Sequence, residues 1–184
     1  MLGKKERLNM PINDNKKDLR AWLITFVTHN TRCSERMRKH NIKLGTPVIF
    51  STEQEIEITK WILQIKQENN LKILAYNICR DHLHMILVCE EVERDNIIRK
   101  IKSKSTYLYK INHKISKELH IWAQKYNYKH IKNDEALEDM YNYVINNRIK
   151  HELPPNKGFK PLVDNLLCTA EEAFSQNERT KQCI

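Results

Sequence analysis

Glycine and proline are scarce in this chain, with 3 and 5 among 184 residues. That scarcity excludes collagen-like repeats and Gly/Pro-rich disorder. No apolar run approaches the roughly 20 residues of a membrane-crossing helix. The first seven residues are charged and offer no apolar signal core, so the expected compartment is the cytoplasm, with no membrane partner. The five cysteines (Cys33, Cys79, Cys89, Cys168, Cys183) are odd in number and form no Cys-x-x-Cys pair. Neither a disulfide scaffold nor a cysteine zinc site is therefore expected, and the thiols read as free. No Gly-rich loop is available to cradle a nucleotide's phosphates. What the chain has instead is positive charge: 32 Lys and Arg against 23 Asp and Glu, a net +9 and a pI near 9.3. Such a surface favours polyanions, with nucleic acid the leading partner.

The pattern along the chain divides it into a basic arm over residues 1–19, one folded domain over 20–153, and a tail over 154–184 with little apolar periodicity. Residues 21–28 are rich in β-branched and aromatic side chains and read as a strand. A polar loop follows over 29–43, in which Arg32, Arg36, Arg38, Lys39 and Lys43 suit either a phosphate backbone or plain solvent. Ser51 and Thr52 precede Gln54 and Glu55 in overlapping capping boxes. Ile58, Trp61, Ile62 and Ile65 then recur at helical spacing. Residues 71–79 and 82–89 read as a hairpin buried on both faces and therefore central in a sheet. Ile97, Ile101, Leu108, Ile111 and Ile115 predict a second helix with a basic outer face, kinked near 103–106. Residues 121–128 suit a further strand, and Asn133 or Asp134 caps a third helix reaching about residue 150. The order is that of an α+β fold, an antiparallel ferredoxin-like sheet with helices packed on it.

Two constellations carry chemistry. His82 and His84 are two residues apart on a strand, so they project from the same face and fit one metal ion. Two hydrogen-bonded core imidazoles satisfy the same spacing. Metal binding needs neutral rings and should be lost in acid. On the last helix Leu137, Met140, Tyr141 and Val144 form the apolar stripe, which makes Tyr141 a core residue. Tyr143 points away from it, and Asn147 follows one turn later on the Tyr143 face. A tyrosine hydroxyl, ordinarily titrating near 10, needs an activated electrophile to act as a nucleophile, and a metal on a phosphate oxygen provides one. A half-exposed tyrosine and a solvated amide is the alternative.

Together the two constellations resemble the HUH single-tyrosine transposases, in particular the branch associated with repetitive extragenic palindromes (REP). His82-Leu83-His84 is similar to the family's strand motif, and Tyr143 through Asn147 to its nucleophile helix. Trp122-Ala123-Gln124 resembles the segment ahead of that helix, and residues 98–112 its Lys-rich helix. The resemblance spans about residues 22–153. It departs at Cys79-Arg80, where many relatives have Met-Pro, and at Arg148, where many have proline.

The resemblance implies that His82, His84 and Asn147 bind Mg2+ or Mn2+. It also implies that Tyr143 attacks a phosphate of single-stranded or hairpin DNA, leaving a 5′-phosphotyrosine and a free 3′-OH. Relatives work as monomers or as homodimers. Because a phosphotyrosine conserves the energy of the broken bond, the metal is the one cofactor expected. Lys100, Lys102 and Lys104 would add salt-sensitive phosphate affinity, with Arg36, Arg38 and Lys39 in the loop. Trp122, Tyr126 and Tyr128 suit base stacking or core packing. The competing readings are a regulator that grips a DNA hairpin without cutting it, and a purely structural metal site.

Overall fold

Strand alternation decides what each face of this protein buries, and the sheet is where the site is built. The computed structural model describes residues 18–33, 35–115, 118–154 and 160–175. The basic arm expected over 1–19 lies outside the described residues except at its last two positions. Four strands, β1 (Leu19–Val27), β2 (Lys72–Cys79), β3 (His82–Glu90) and β4 (Asn127–Ile131), form one antiparallel sheet in the order β2-β3-β1-β4. Helices α1 (Glu35–Lys39) and α2 (Thr52–Asn69) follow β1. Helix α3 (Glu91–Asn112) follows β3, and α4 (Asp134–Ile145) and α5 (Asn147–Lys150) follow β4. The α+β, ferredoxin-like reading holds.

Residues of β1 and β3 alternate between two cores. Trp22, Ile24 and Phe26 of β1 and Leu83, Met85 and Leu87 of β3 pack with Ile58, Ile62 and Ile65 of α2 and Ile98 and Ile101 of α3. Ala21 of β1 and Ile86 and Val88 of β3 face the other way, with Val144 of α4. The helix starts are as the sequence foretells. Ser51 and Gln54 close a capping box on α2, and Asn133 accepts from the Ala136 amide at the start of α4.

Several elements differ from expectation. β2 lies at the edge of the sheet, not its centre; helices on both of its faces, rather than strands on both sides, bury it. Helix α3 runs unbroken through residues 103–106, where the Ser105 hydroxyl donates to the Ile101 carbonyl within the helix. Its buried face is Ile98, Ile101, Ser105 and Tyr109, while Ile111 is exposed. The Trp122 indole donates to Ser105 Oγ at 2.9 Å and draws that face inward. Ile121 and Trp122 are not in a strand: Trp122 plugs the core against Phe26 and Phe50, and β4 begins only at Asn127. Tyr141 is 38 % exposed, because α4 meets the sheet through a narrow stripe of Leu137, Met140 and Val144 that leaves Tyr141 on its flank. The third helix does not run to 150 as one piece but breaks at Asn146 into α4 and α5. Beyond Pro154, the short helices α6 (Lys160–Leu166) and α7 (Ala170–Phe174) bury Leu166 and Ala173 in the two cores.

Candidate active site

The even-numbered residues of β3 face α4, so His82 and His84 stand side by side there, their ring centroids 5.0 Å apart. Both are buried. Each ring is held by its Nδ1: Asp81 Oδ1 lies 2.6 Å from that of His82, and Thr25 Oγ1 2.7 Å from that of His84. Thr25 is the register partner of His84 on β1. Both Nε2 atoms are left facing the C-terminal helices, where His82 Nε2 lies 2.8 Å from Asn147 Oδ1 and His84 Nε2 3.4 Å from Tyr143 Oη.

Asn147, the first residue of α5, is buried, so the solvated amide is not what forms. Asn77 of β2 fixes the break at Asn146: its amide donates to the carbonyls of Val144 and Ile145, the orphan end of α4, at 2.8 and 3.2 Å. Arg148 holds α5 from the other side. Its guanidinium donates to buried Glu55 of α2 at 2.7 Å and to the Ile78 carbonyl on the edge of β2 at 2.9 Å. Tyr143 keeps 37 % of its surface exposed, enough for its hydroxyl to be met from outside. The ammonium of Lys150 stands 5.5 Å from the centre of its ring, and the His151 ring packs on His82 at 4.8 Å.

Burial, reinforced by the neighbouring His82, His151 and Lys150, pushes the pKa of His84 down to about 4. Burial also raises Asp81, but the His82 hydrogen bond and the charges of His82, Arg32 and His151 outweigh it and hold that carboxyl below its ordinary range. Neutral His84 thus carries a stability cost in acid. The unfolded imidazole binds a proton below about pH 6.5, whereas the folded one resists until about 4. Its contribution is complete above pH 6.5 and is lost as the pH falls towards 4, on the order of 2 kcal/mol by about pH 5. Urea melts with chelator present are expected to show that loss in wild type and a smaller one in His84→Asn. Equal pH dependence in the two would contradict a neutral buried His84.

The donor set fits a divalent cation. Two imidazole nitrogens and one amide oxygen suit a metal of the Mg2+ and Mn2+ class completed by water and phosphate oxygens. The carboxylate behind His82 is the outer support such ligands use. The Asn147 amide turns its oxygen to His82 although its buried nitrogen is left without a partner, an orientation that serves an oxygen donor. Among the described residues no three His, Cys, Asp or Glu side chains converge as a metal cage.

The cations singled out in the sequence lie elsewhere. Arg36, Arg38 and Lys39 are exposed on α1. On α3, Lys100 donates to Asn69 Oδ1 at 2.6 Å, Lys104 pairs with Glu68, and Lys102 donates to the carbonyls of Ala123 and Gln124. Sequence reasoning missed Thr25, Asn77 and the Glu55–Arg148 pair, whose roles depend on strand register and on one helix meeting a sheet edge. Asp81 carried a local signal, a carboxylate beside a candidate ligand.

Comparison with known proteins finds similar chains. One solved structure, titled as a REP-associated tyrosine transposase bound to a REP hairpin, is 19 % identical over 77 % of this chain and 74 % of its own, with a TM-score of 0.50. A proposed transposase of Deinococcus radiodurans is 12 % identical over 79 % of this chain and all of its own, with a TM-score of 0.44. No curated protein matches. The family model described as "Transposase IS200 like" matches residues 46–147, more than half of the chain and a span that takes in His82, His84, Tyr143 and Asn147. On that match the chain belongs to the IS200-like transposase family.

Proposed function

We propose that the protein nicks and rejoins single-stranded DNA beside a hairpin, through a covalent bond between Tyr143 and a 5′-phosphate. One observation carries the reading: buried His82 and His84 of β3, Asn147 of α5 and half-exposed Tyr143 of α4 meet at one place, with Nε2 to Oη and Nε2 to Oδ1 distances of 3.4 and 2.8 Å. The solved relative's bound hairpin supports hairpin DNA as the partner.

In this mechanism Tyr143 Oη attacks the phosphorus of a backbone phosphate lying across the two histidines. The bond from phosphorus to the 3′-oxygen breaks, and that strand leaves as a 3′-OH, its proton balanced through solvent by the one the phenol gives up. Attack by a 3′-OH on the phosphotyrosine reverses the step and rejoins DNA without a nucleotide cofactor. Mg2+ or Mn2+ held by His82, His84 and Asn147 would polarise a phosphate oxygen when bound. Asp81 and Thr25 fix the two imidazoles so that Nε2 faces the phosphate side. Lys150 places a positive charge over the Tyr143 ring, where it favours both the phosphate and the phenolate formed on attack.

Calorimetric titration with manganese tests the ligand assignment apart from DNA. Wild-type and Tyr143→Phe protein are expected to bind one ion with equal affinity, while His82→Ala and His84→Ala bind at least about tenfold more weakly. Unchanged binding in both histidine variants would overturn it.

A further inference from the structure

The three lysines that give α3 its basic look point to partners within the protein, but the opposite edge of the helix does not pack on α2. There Arg99, Ser103, Thr106, Lys110 and Lys114 succeed one another at helical spacing. They border a groove of about 940 Å3 between α3 and residues 120–126. Ile98 and buried Trp122 form part of its lining. Tyr107, 62 % exposed, and Ile111, 57 % exposed, stand open along it. Among the described residues its one acidic lining residue, Asp95, is bonded to Arg94 and to the Tyr126 hydroxyl. The groove is thus apolar and aromatic in its middle and cationic along its edge.

We infer that this groove seats a single strand of DNA, with phosphates along Arg99 and Lys114 and base faces on Tyr107 and Ile111. Charge selects the occupant. The chain's own terminal segments, residues 1–17 and 176–184, are net basic, and a second copy would bring a further +9. None of these complements a cationic edge, whereas a phosphate backbone does. An open tyrosine beside an isoleucine selects unpaired bases over a duplex, whose base faces are already stacked. Helix α3 packs on the sheet face opposite α4, so this strand is a flanking segment and not the one that meets Tyr143. The inference rests on DNA with an unpaired flank being the substrate, but not on its cleavage.

Fluorescence anisotropy with a labelled oligo-dT of about 20 nucleotides, at several salt concentrations in the Tyr143→Phe background, reads binding alone. Arg99→Ala/Lys114→Ala is expected to weaken binding about tenfold and to flatten the log–log salt slope by about 1.4, two phosphate contacts on a single strand. Lys100→Ala/Lys104→Ala removes the same charge from the α2 side of the helix and should leave both unchanged. Tyr107→Ala should weaken oligo-dT about fivefold or more with the slope intact, and leave a duplex of equal length unaffected. Equal losses in the two double variants, or a Tyr107→Ala protein that binds oligo-dT like its parent, would overturn the groove. Because no covalent product is measured, a protein that never cut DNA would pass or fail this test on the groove alone.

Discussion

Tyr143→Phe protein, incubated with manganese and labelled single-stranded hairpin DNA, is expected to leave no covalent protein–DNA band on a denaturing gel, a loss of at least about 10³-fold. The substitution deletes the attacking atom and little else. The Tyr143 ring packs edge-on against His84 at 5.1 Å, a contact phenylalanine keeps. The lost hydroxyl has a long 3.4 Å approach to His84 Nε2, so folding, hairpin affinity and manganese binding should all survive. Tyr141 is the matched control, two residues away and as exposed as Tyr143 at 38 % against 37 %. It lies on another flank of α4, and Tyr141→Phe should form adduct at the wild-type rate. Adduct persisting in Tyr143→Phe would remove Tyr143 as the nucleophile. Retained hairpin binding with no adduct even in wild type would favour the regulator that grips DNA without cutting.

Arg148→Ala is expected to cost about 3–5 kcal/mol of stability, because it strands a buried carboxylate. Glu55 is almost wholly buried, and that burial raises its pKa against the pull of the Arg148 hydrogen bond and charge. With the guanidinium gone the folded carboxyl holds its proton more tightly than the unfolded one. The unfolded group releases its proton first, so the deficit is small below about pH 4.5 and grows as the pH rises through the folded value. Urea melts of wild type and Arg148→Ala at paired pH values measure this directly. Glu55→Gln on top of Arg148→Ala should restore part of the loss at neutral pH, since an amide is cheaper to bury than a charge. A neutral-pH deficit under about 1 kcal/mol would mean that the pair does not brace α5 against the sheet. The same variant should weaken manganese binding, because Asn147 begins the helix that Arg148 anchors.

Periodicity made the strands and main helices legible. Two-residue alternation put His82 and His84 on one face, and three- and four-residue spacing separated Tyr143 from Leu137, Met140 and Val144. What stayed hidden depends on contacts between distant segments. Thr25 meets His84 only through the β1–β3 register, 59 positions apart in sequence. Asn77 reads as one more buried strand residue until the end of α4 is set against it. A run of apolar residues cannot tell whether strands or helices cover it, so the pattern puts β2 at the sheet centre and the structure puts it at the edge. Residue count around a helix placed Asn147 on the Tyr143 face. What the count does not show is that Asn147 is buried against the His82 ring, where its oxygen has a partner and its nitrogen has none.

Mass spectrometry of the trapped complex tests the central claim most directly. Wild-type protein is reacted with manganese and a hairpin oligonucleotide from the flanks of its own gene, then digested with protease and nuclease. The expected product is a single peptide containing Tyr143 that carries a nucleotide through its 5′-phosphate, formed with manganese, absent with chelator, and accompanied by a released strand ending in 3′-OH. A nucleotide linked to any other residue, or a released strand ending in a 3′-phosphate, would contradict it.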